Sequence, residues 1–239
     1  MITKEKIREI ATKFQTNEQN VVNEYFQHLF LSYFYQNKGS EKILFKGGTA
    51  LRIIYKSPRF SEDLDFSASN IDKKDIENIL ISTLEEMERE GLSTKLMEAK
   101  TTSGGYLGII KFINGNYKST IQLEISLRKE NIKGQVTTIS GDFTLPFAVF
   151  SLDLNYLIGE KIQALLTRSK PRDFYDLYYI LRANLISNEQ KNLLEKVITL
   201  LEKTNINFEK ELKYFLPKSH WAIIRDFKNT LNEEIERVI

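Results

Sequence analysis

The chain has 239 residues, with 34 Lys and Arg against 32 Asp and Glu, 41% hydrophobic residues, 4 prolines and no cysteine. A chain of this size forms one large domain or two small ones, and neither its composition nor its apolar runs fit a disordered chain or a span of about 18 residues through a bilayer. Without cysteine there are no disulfides, thiolate nucleophiles or Cys-ligated metals, so any metal must use oxygen ligands or His28 and His220. The opening run MITKEKIREI is charged and lacks both an apolar core and a small-residue cleavage site, so a cytoplasmic protein with no membrane partner is expected. The net charge of +2 can still conceal a basic face beside an acidic site.

In chain order, Thr16 followed by Gln19 reads as a capping box. Val22, Phe26, Leu29, Phe30, Tyr33 and Phe34 then recur at helical spacing, predicting an amphipathic helix to about Gln36. Residues 43–45 form a short apolar strand, Gly47-Gly48 a turn and residues 49–55 a short helix that Ser57-Pro58 breaks. Residues 63–67 alternate polar and apolar, as a strand with one buried face does. Residues 72–90 carry a helical apolar period with Gly91 as a stop. Strands follow over 92–100, 106–113 and 118–127, joined by glycine turns, of which Asn114-Gly115-Asn116 is a strong hairpin signal. After Pro146 the stretches 152–167, 172–183, 188–202 and 221–237 all read as helices. The expectation is therefore an α+β protein: a mixed-sheet domain with helices over 1–147, then an all-helical domain over 148–239.

The strongest local signal is Lys46-Gly47-Gly48-Thr49-Ala50-Leu51, followed by Arg59-Phe60-Ser61-Glu62-Asp63-Leu64-Asp65-Phe66. Side chains two apart on a strand face the same way, so Asp63 and Asp65 project together while Leu64 and Phe66 face a core. Two carboxylates so placed repel unless a cation sits between them, and Mg²⁺ suits hard oxygen ligands, using one or two carboxylates with water and substrate phosphates. In Ile121-Gln122-Leu123-Glu124-Ile125, alternation puts Glu124 on the polar face, where it is either a third metal ligand or a salt-bridged surface residue. Gly47 and Gly48 let backbone N–H groups approach an anion. A phosphate cradle beside a metal-binding Asp pair describes a nucleotidyl-transfer site. The 13 residues between Thr49 and Asp63 allow the chain to return to an adjacent strand, and no Gly-Lys-Ser/Thr follows the glycines, so this is not a Walker A loop.

Further along, Lys161, Leu165 and Arg168 share a helical surface, and Pro171 separates that helix from one bearing Arg172 and Asp176. A packed helix pair brings Lys161 near Asp176, although a basic helix end with an ordinary surface ion pair has the same pattern. Basic residues also crowd 42–59, where Lys42, Lys46, Arg52, Lys56 and Arg59 stand with no acidic residue, a composition suited to a polyanionic acceptor.

Gly47-Gly48-Thr49 with Asp63-Leu64-Asp65 resembles the signature of the DNA polymerase β-like minimal nucleotidyltransferases. More narrowly, residues 45–51 through 59–66 are similar to the AbiEii/MenT group, the toxin half of type IV toxin–antitoxin and abortive-infection systems. Lys161 and the Arg172-Asp173-Phe174-Tyr175-Asp176 run match that group's second motif, and the resemblance spans residues 43–182. It implies a Mg²⁺-dependent enzyme that transfers a nucleotide from an NTP to RNA, most directly the 3′ end of tRNA. Blocked translation and a cognate antitoxin encoded nearby are implied with it. On this reading Asp63 and Asp65, with Glu124, hold metal; Gly47, Gly48 and Thr49, with Lys46 and Arg59, hold the triphosphate. Lys161 contacts phosphate, while Asp176 either orients Lys161 or acts as a base. A protein side chain as acceptor, and a regulator of the same fold that binds nucleotide or RNA without catalysis, stand as the alternatives.

Overall fold

A computed structural model describes residues 2–239. The chain divides into two compact units: residues through Lys56 with Phe60–Leu152, and Ser57–Arg59 with Asp153–Ile239.

The first unit is built on one mixed sheet. It opens with helices α1 (Lys4–Lys13) and α2 (Glu18–Phe34). Asn17, and not Thr16, caps α2: its side-chain oxygen accepts the Asn20 N–H at 2.8 Å, while Gln19 turns its amide to Asn23 and to the Lys118 carbonyl instead of closing a capping box. There follow β1 (Ile43–Lys46), α3 (Gly47–Ile53), β2 (Leu64–Ala68), α4 (Lys73–Arg89), β3 (Ser93–Thr102), β4 (Gly105–Asn114), β5 (Tyr117–Leu127), β6 (Gly134–Ile139) and β7 (Phe147–Leu152). Asp72 caps α4 by accepting the Asp75 N–H, and Gly91, at φ 84°, ends it as the sequence suggests.

The strand order is β3-β4-β5-β2-β1-β7-β6. β2 runs parallel to β5 and β1 parallel to β7, while the other neighbours are antiparallel. Strand β7 explains why the division falls after Leu152 and not near 147. Residues 147–152 are not the start of the helical part: they pair with the whole of β6 and reach β1 at Phe45↔Ser151. The core is aromatic. Phe26, Phe30 and Phe34 of α2 are all fully buried; Phe26 stacks on Phe112 of β4 at 5.4 Å, and Phe34 meets Phe66 of β2, which meets Phe45 of β1. Aromatic side chains bury about 150–250 Å² each, so this ladder fixes α2 across the middle of the sheet.

The second unit is helical, with α5 (Leu154–Arg168), α6 (Pro171–Arg182), α7 (Asn188–Lys191), α8 (Leu194–Lys203), α9 (Phe208–Leu212), α10 (Trp221–Arg225) and α11 (Phe227–Glu236). Helix α5 ends at Ser169 in the left-handed region, and Pro171 opens α6 at a position where its missing N–H costs nothing. The expected helix over 221–237 is broken at Asp226, whose backbone leaves helical geometry and whose carboxylate takes the Asn229 amide. Phe174, Tyr175, Phe208 and Phe227 make its core, with ring centres 4.9 to 5.9 Å apart.

Candidate active site

The glycine turn and the Asp strand meet at the edge of β1. Lys46, the last residue of β1, pairs in register with Asp65 of β2. Gly47 then takes φ 81° and starts α3. Only glycine fits there. A left-handed backbone disfavours any side chain, and a Cβ on Gly47 would lie 2.1 Å from Asp65 Oδ2 and 2.7 Å from its Cβ and Cγ. The backbone of the turn therefore rests directly against the Asp65 carboxylate.

The strand carrying Glu124 lies where the alternation requires. In the parallel β2–β5 ladder Leu64 faces Leu123 and Asp65 faces Glu124, so the two carboxylate-bearing residues are neighbours across about 4.8 Å of sheet. Glu124 is exposed and accepts the Gln122 Nε2 amide at 2.6 Å from its own strand. Asp63 directly precedes β2 and continues its alternation, half-buried like Asp65 while Leu64 and Phe66 are buried. Among the described residues, no three His, Asp or Glu side chains are gathered into a metal-holding group. The donor set is thus two hard carboxylates with Glu124 alongside. That chemistry fits Mg²⁺, which takes one or two protein carboxylates and fills its octahedron with water and phosphate oxygens.

The backbone leading into Asp63 is clamped. Gln27 of α2, 1% exposed, donates its Nε2 to the carbonyls of Ser61 and Glu62 at 2.8 and 3.1 Å. The Thr49 hydroxyl, also buried, donates to the carbonyl of Asp63. Consecutive carbonyls before the Asp pair are therefore held by side chains from α2 and α3. Thr49 was expected to bond phosphate through this hydroxyl; the structure commits it to the backbone of Asp63. Gln27 was not anticipated, although an amide flanked by Tyr25-Phe26 and Leu29-Phe30 on a helix packed against the sheet must find a partner for its buried polar group.

In the helical unit, Lys161 of α5 and Asp176 of α6 are joined by a 2.7 Å ion pair. Asp176 also receives Arg59 in a two-pronged bond, Nε to Oδ1 at 2.7 Å and Nη2 to Oδ2 at 2.9 Å. Arg59 is 3% and Asp176 1% exposed. Burial alone would raise the Asp176 carboxyl, but the charges and hydrogen bonds of Arg59 and Lys161 hold it at about 2. A carboxylate so acidic and so fully engaged is a poor proton acceptor at neutral pH and a good anchor for two cations. Arg59, expected to contact nucleotide, is spent on this pair. Arg168 makes a matching fork to the buried Asp173, with both contacts at 2.7 Å.

The basic stretch 42–59, like the basic side chains of α5 and α6, is consequently less of an open phosphate field than its composition suggests. Arg52 is buried in an ion pair with Glu24 at 3.1 Å, and Arg182 bonds Glu234 at 2.8 Å. No described helix is long and apolar enough to cross a membrane.

Comparison with known proteins shows the family and the fold. The family model described as nucleotidyl transferase AbiEii toxin, type IV TA system, matches residues 29–237. The structure of JHP933 from Helicobacter pylori superposes with a TM-score of 0.69 at 18% identity, covering 93% of each chain. That of MenT4, a nucleotidyltransferase toxin from Mycobacterium tuberculosis H37Rv, superposes with a TM-score of 0.66 at 14% identity, covering 99% of this chain and 93% of the other. At such identities the likeness is one of fold. Among curated proteins, none matches the chain.

Proposed function

The chain belongs to the AbiEii nucleotidyl transferase toxin family of type IV toxin–antitoxin systems, and on that premise we propose that it moves a nucleotide from an NTP to an RNA acceptor, the 3′ end of tRNA, with Mg²⁺ as cofactor. Membership in the family implies an antitoxin partner. Asp63 and Asp65 would hold the metal, with Glu124 at hand. The metal, when bound, would neutralise charge on the triphosphate and its leaving group. Gly47 and Gly48 would let backbone N–H groups reach phosphate, with Lys46 beside them. Thr49 and Gln27 hold the chain that carries Asp63, and so act as positioning residues. In the helical unit Asp176 orients Lys161 and Arg59, and does not take a proton itself.

The observation that supports this reading most is the approach of Gly47 to Asp65. A backbone turn set directly against a carboxylate puts N–H groups able to meet an anion beside a group able to bind a cation. The acceptor is tested by incubating the protein with total tRNA, Mg²⁺ and each α-labelled NTP in turn. Label on tRNA that fails to appear when the 3′ terminus is oxidised by periodate before the reaction supports the proposal. Label on a protein, or on no macromolecule with any of the four NTPs, would overturn it.

A further inference from the structure

The register of β3, β4 and β5 sets like charges opposite one another on one side of the sheet. Helix α2 covers the other side, where Phe112, Leu123 and Ile125 are buried. Residues directly opposite in an antiparallel pair share a face. On the face away from α2, Lys95 of β3 stands opposite Lys111 of β4, Lys111 opposite Thr120 of β5, and Lys118 opposite Ile113. The irregularity between Leu96 and Glu98 inserts Met97 as an extra residue in β3, and so keeps Lys95, Glu98 and Lys100 all on this face.

Like charges directly opposite each other destabilise a sheet. No carboxylate relieves them: Lys95, Lys111 and Lys118 make no ion pair among the described residues. Of the acidic residues on this face, Glu98 takes Lys100 at 2.5 Å and Glu124 takes the Gln122 amide at 2.6 Å. Lys95 and Lys118 are exposed and Lys111 is half-buried. Leu107, Ile109 and Ile113, also half-buried, leave an apolar floor among the charges. The same face carries the row of carboxylates. Lys46, Asp65, Glu124 and Leu107 lie opposite one another across β1, β2, β5 and β4. Thr120 is four residues from Glu124 on β5, so the lysine pair lies about 14 Å along the strands from that row at the usual rise per residue.

We infer that the open face of β3, β4 and β5 is the docking surface for the phosphate backbone of the RNA acceptor, with Lys95, Lys111 and Lys118 meeting phosphates and the 3′ end directed to Asp65. The inference rests on the reading of the protein as a nucleotidyltransferase that acts on RNA. Unpaired lysines select a polyanion, and the continuity of their face with the Asp65–Glu124 row selects one whose end must reach those carboxylates. A phosphate between Lys95 and Lys111 turns one repulsion into two attractions, and the apolar floor lies where bases and riboses would rest.

The test measures tRNA binding to the full chain without NTP over a range of salt, and the KM values for tRNA and NTP in the labelling assay. For Lys95→Gln/Lys111→Gln, tRNA should bind about tenfold more weakly, the scale of two exposed ion pairs. The slope of log affinity against log salt should flatten by about 0.7–0.9 for each lysine lost. The KM for tRNA should rise while that for NTP stays in place. Lys74→Gln/Lys203→Gln removes two exposed charges elsewhere and is the control for net charge. Lys95→Glu separates binding from folding: opposite Lys111 it forms an opposite-charge pair, so it should melt no lower than the parent and still bind tRNA more weakly than Lys95→Gln does. Unchanged tRNA affinity and KM in the double variant, or an equal loss in the control, would overturn the inference and leave nucleotidyl transfer standing. Displacement of tRNA by poly-glutamate at matched charge would overturn it in favour of an acidic polypeptide. Lysine-dependent tRNA binding without transfer to any RNA would support the surface and sink the transfer reading instead.

Discussion

Gly47 and Asp65 are in such close contact that a single methyl group on Gly47 would lie 2.1 Å from the Asp65 carboxylate oxygen. Gly47→Ala must therefore do two things at once. It forces alanine into φ 81°, a region costing an L-residue about 1–2 kcal/mol, and it displaces Asp65. The expected result is a lower urea midpoint together with loss of nucleotidyl transfer. Gly104→Ala is the control, because a Cβ there meets nothing within 4 Å, and it should stay within about 0.5 kcal/mol of the parent.

Asp176 neutralises two cations where water does not reach. Asp176→Asn would leave Arg59 and Lys161 with no compensating charge, a change worth about 3–5 kcal/mol at a buried pair. Urea denaturation at pH 7 should show it. The carboxyl's folded value of about 2 lies below its unfolded value of about 3.9, so its contribution is present above pH 4 and is lost as pH falls through 2. The Asn variant should show no such acid loss from this site.

Gln27→Leu removes the amide that holds the Ser61 and Glu62 carbonyls while keeping the side-chain volume. The expected cost is about 1–3 kcal/mol in stability. If the clamp positions Asp63, the Mg²⁺ concentration giving half-maximal activity should rise in this variant by more than the NTP KM does. A purely structural role would lower the amount of folded enzyme and leave both midpoints in place.

His28 gives the first unit a pH dependence of the same sign as that of the anchored Asp176 carboxylate, but at higher pH. Burial first, then Lys56 and Arg52, push its ring down to about 4 from an unfolded value of about 6.5. Between those values the unfolded chain binds a proton that the folded chain refuses, so stability falls as pH drops from 6.5 to 4. At 1.36 kcal/mol per unit the loss approaches about 3 kcal/mol. Thermal melts across that range should show the slope, and His28→Phe should flatten it.

The sequence is most legible where periodicity and turn chemistry agree. Asp63-Leu64-Asp65 and Gln122-Leu123-Glu124 alternate as half-buried strands do, and their pairing in register follows from that. Helix α4 has its Asp72 cap and Gly91 stop in the letters. What escaped reading depends on contacts distant in the chain. Strands 134–139 and 147–152 hold little alternation that a helix could not share, and they are defined by each other and by β1. Arg59 reads as one more basic residue until Asp176, 117 positions later, receives its guanidinium. Thr49 reads as a phosphate ligand because a hydroxyl beside a glycine turn suits either partner, and only the fold brings the Asp63 carbonyl to it.

The claim that Asp63 and Asp65 form the metal-binding centre of a nucleotidyltransferase is tested most directly by Asp65→Asn, which keeps the side chain's shape and removes its charge. Transfer of α-labelled nucleotide to tRNA, measured for parent and variant at equal folded concentration and saturating Mg²⁺, should fall about 10²-fold or more, the scale on which lost electrostatic stabilisation is felt in an active site. A variant that melts like the parent and still transfers nucleotide at the parental rate would contradict the account.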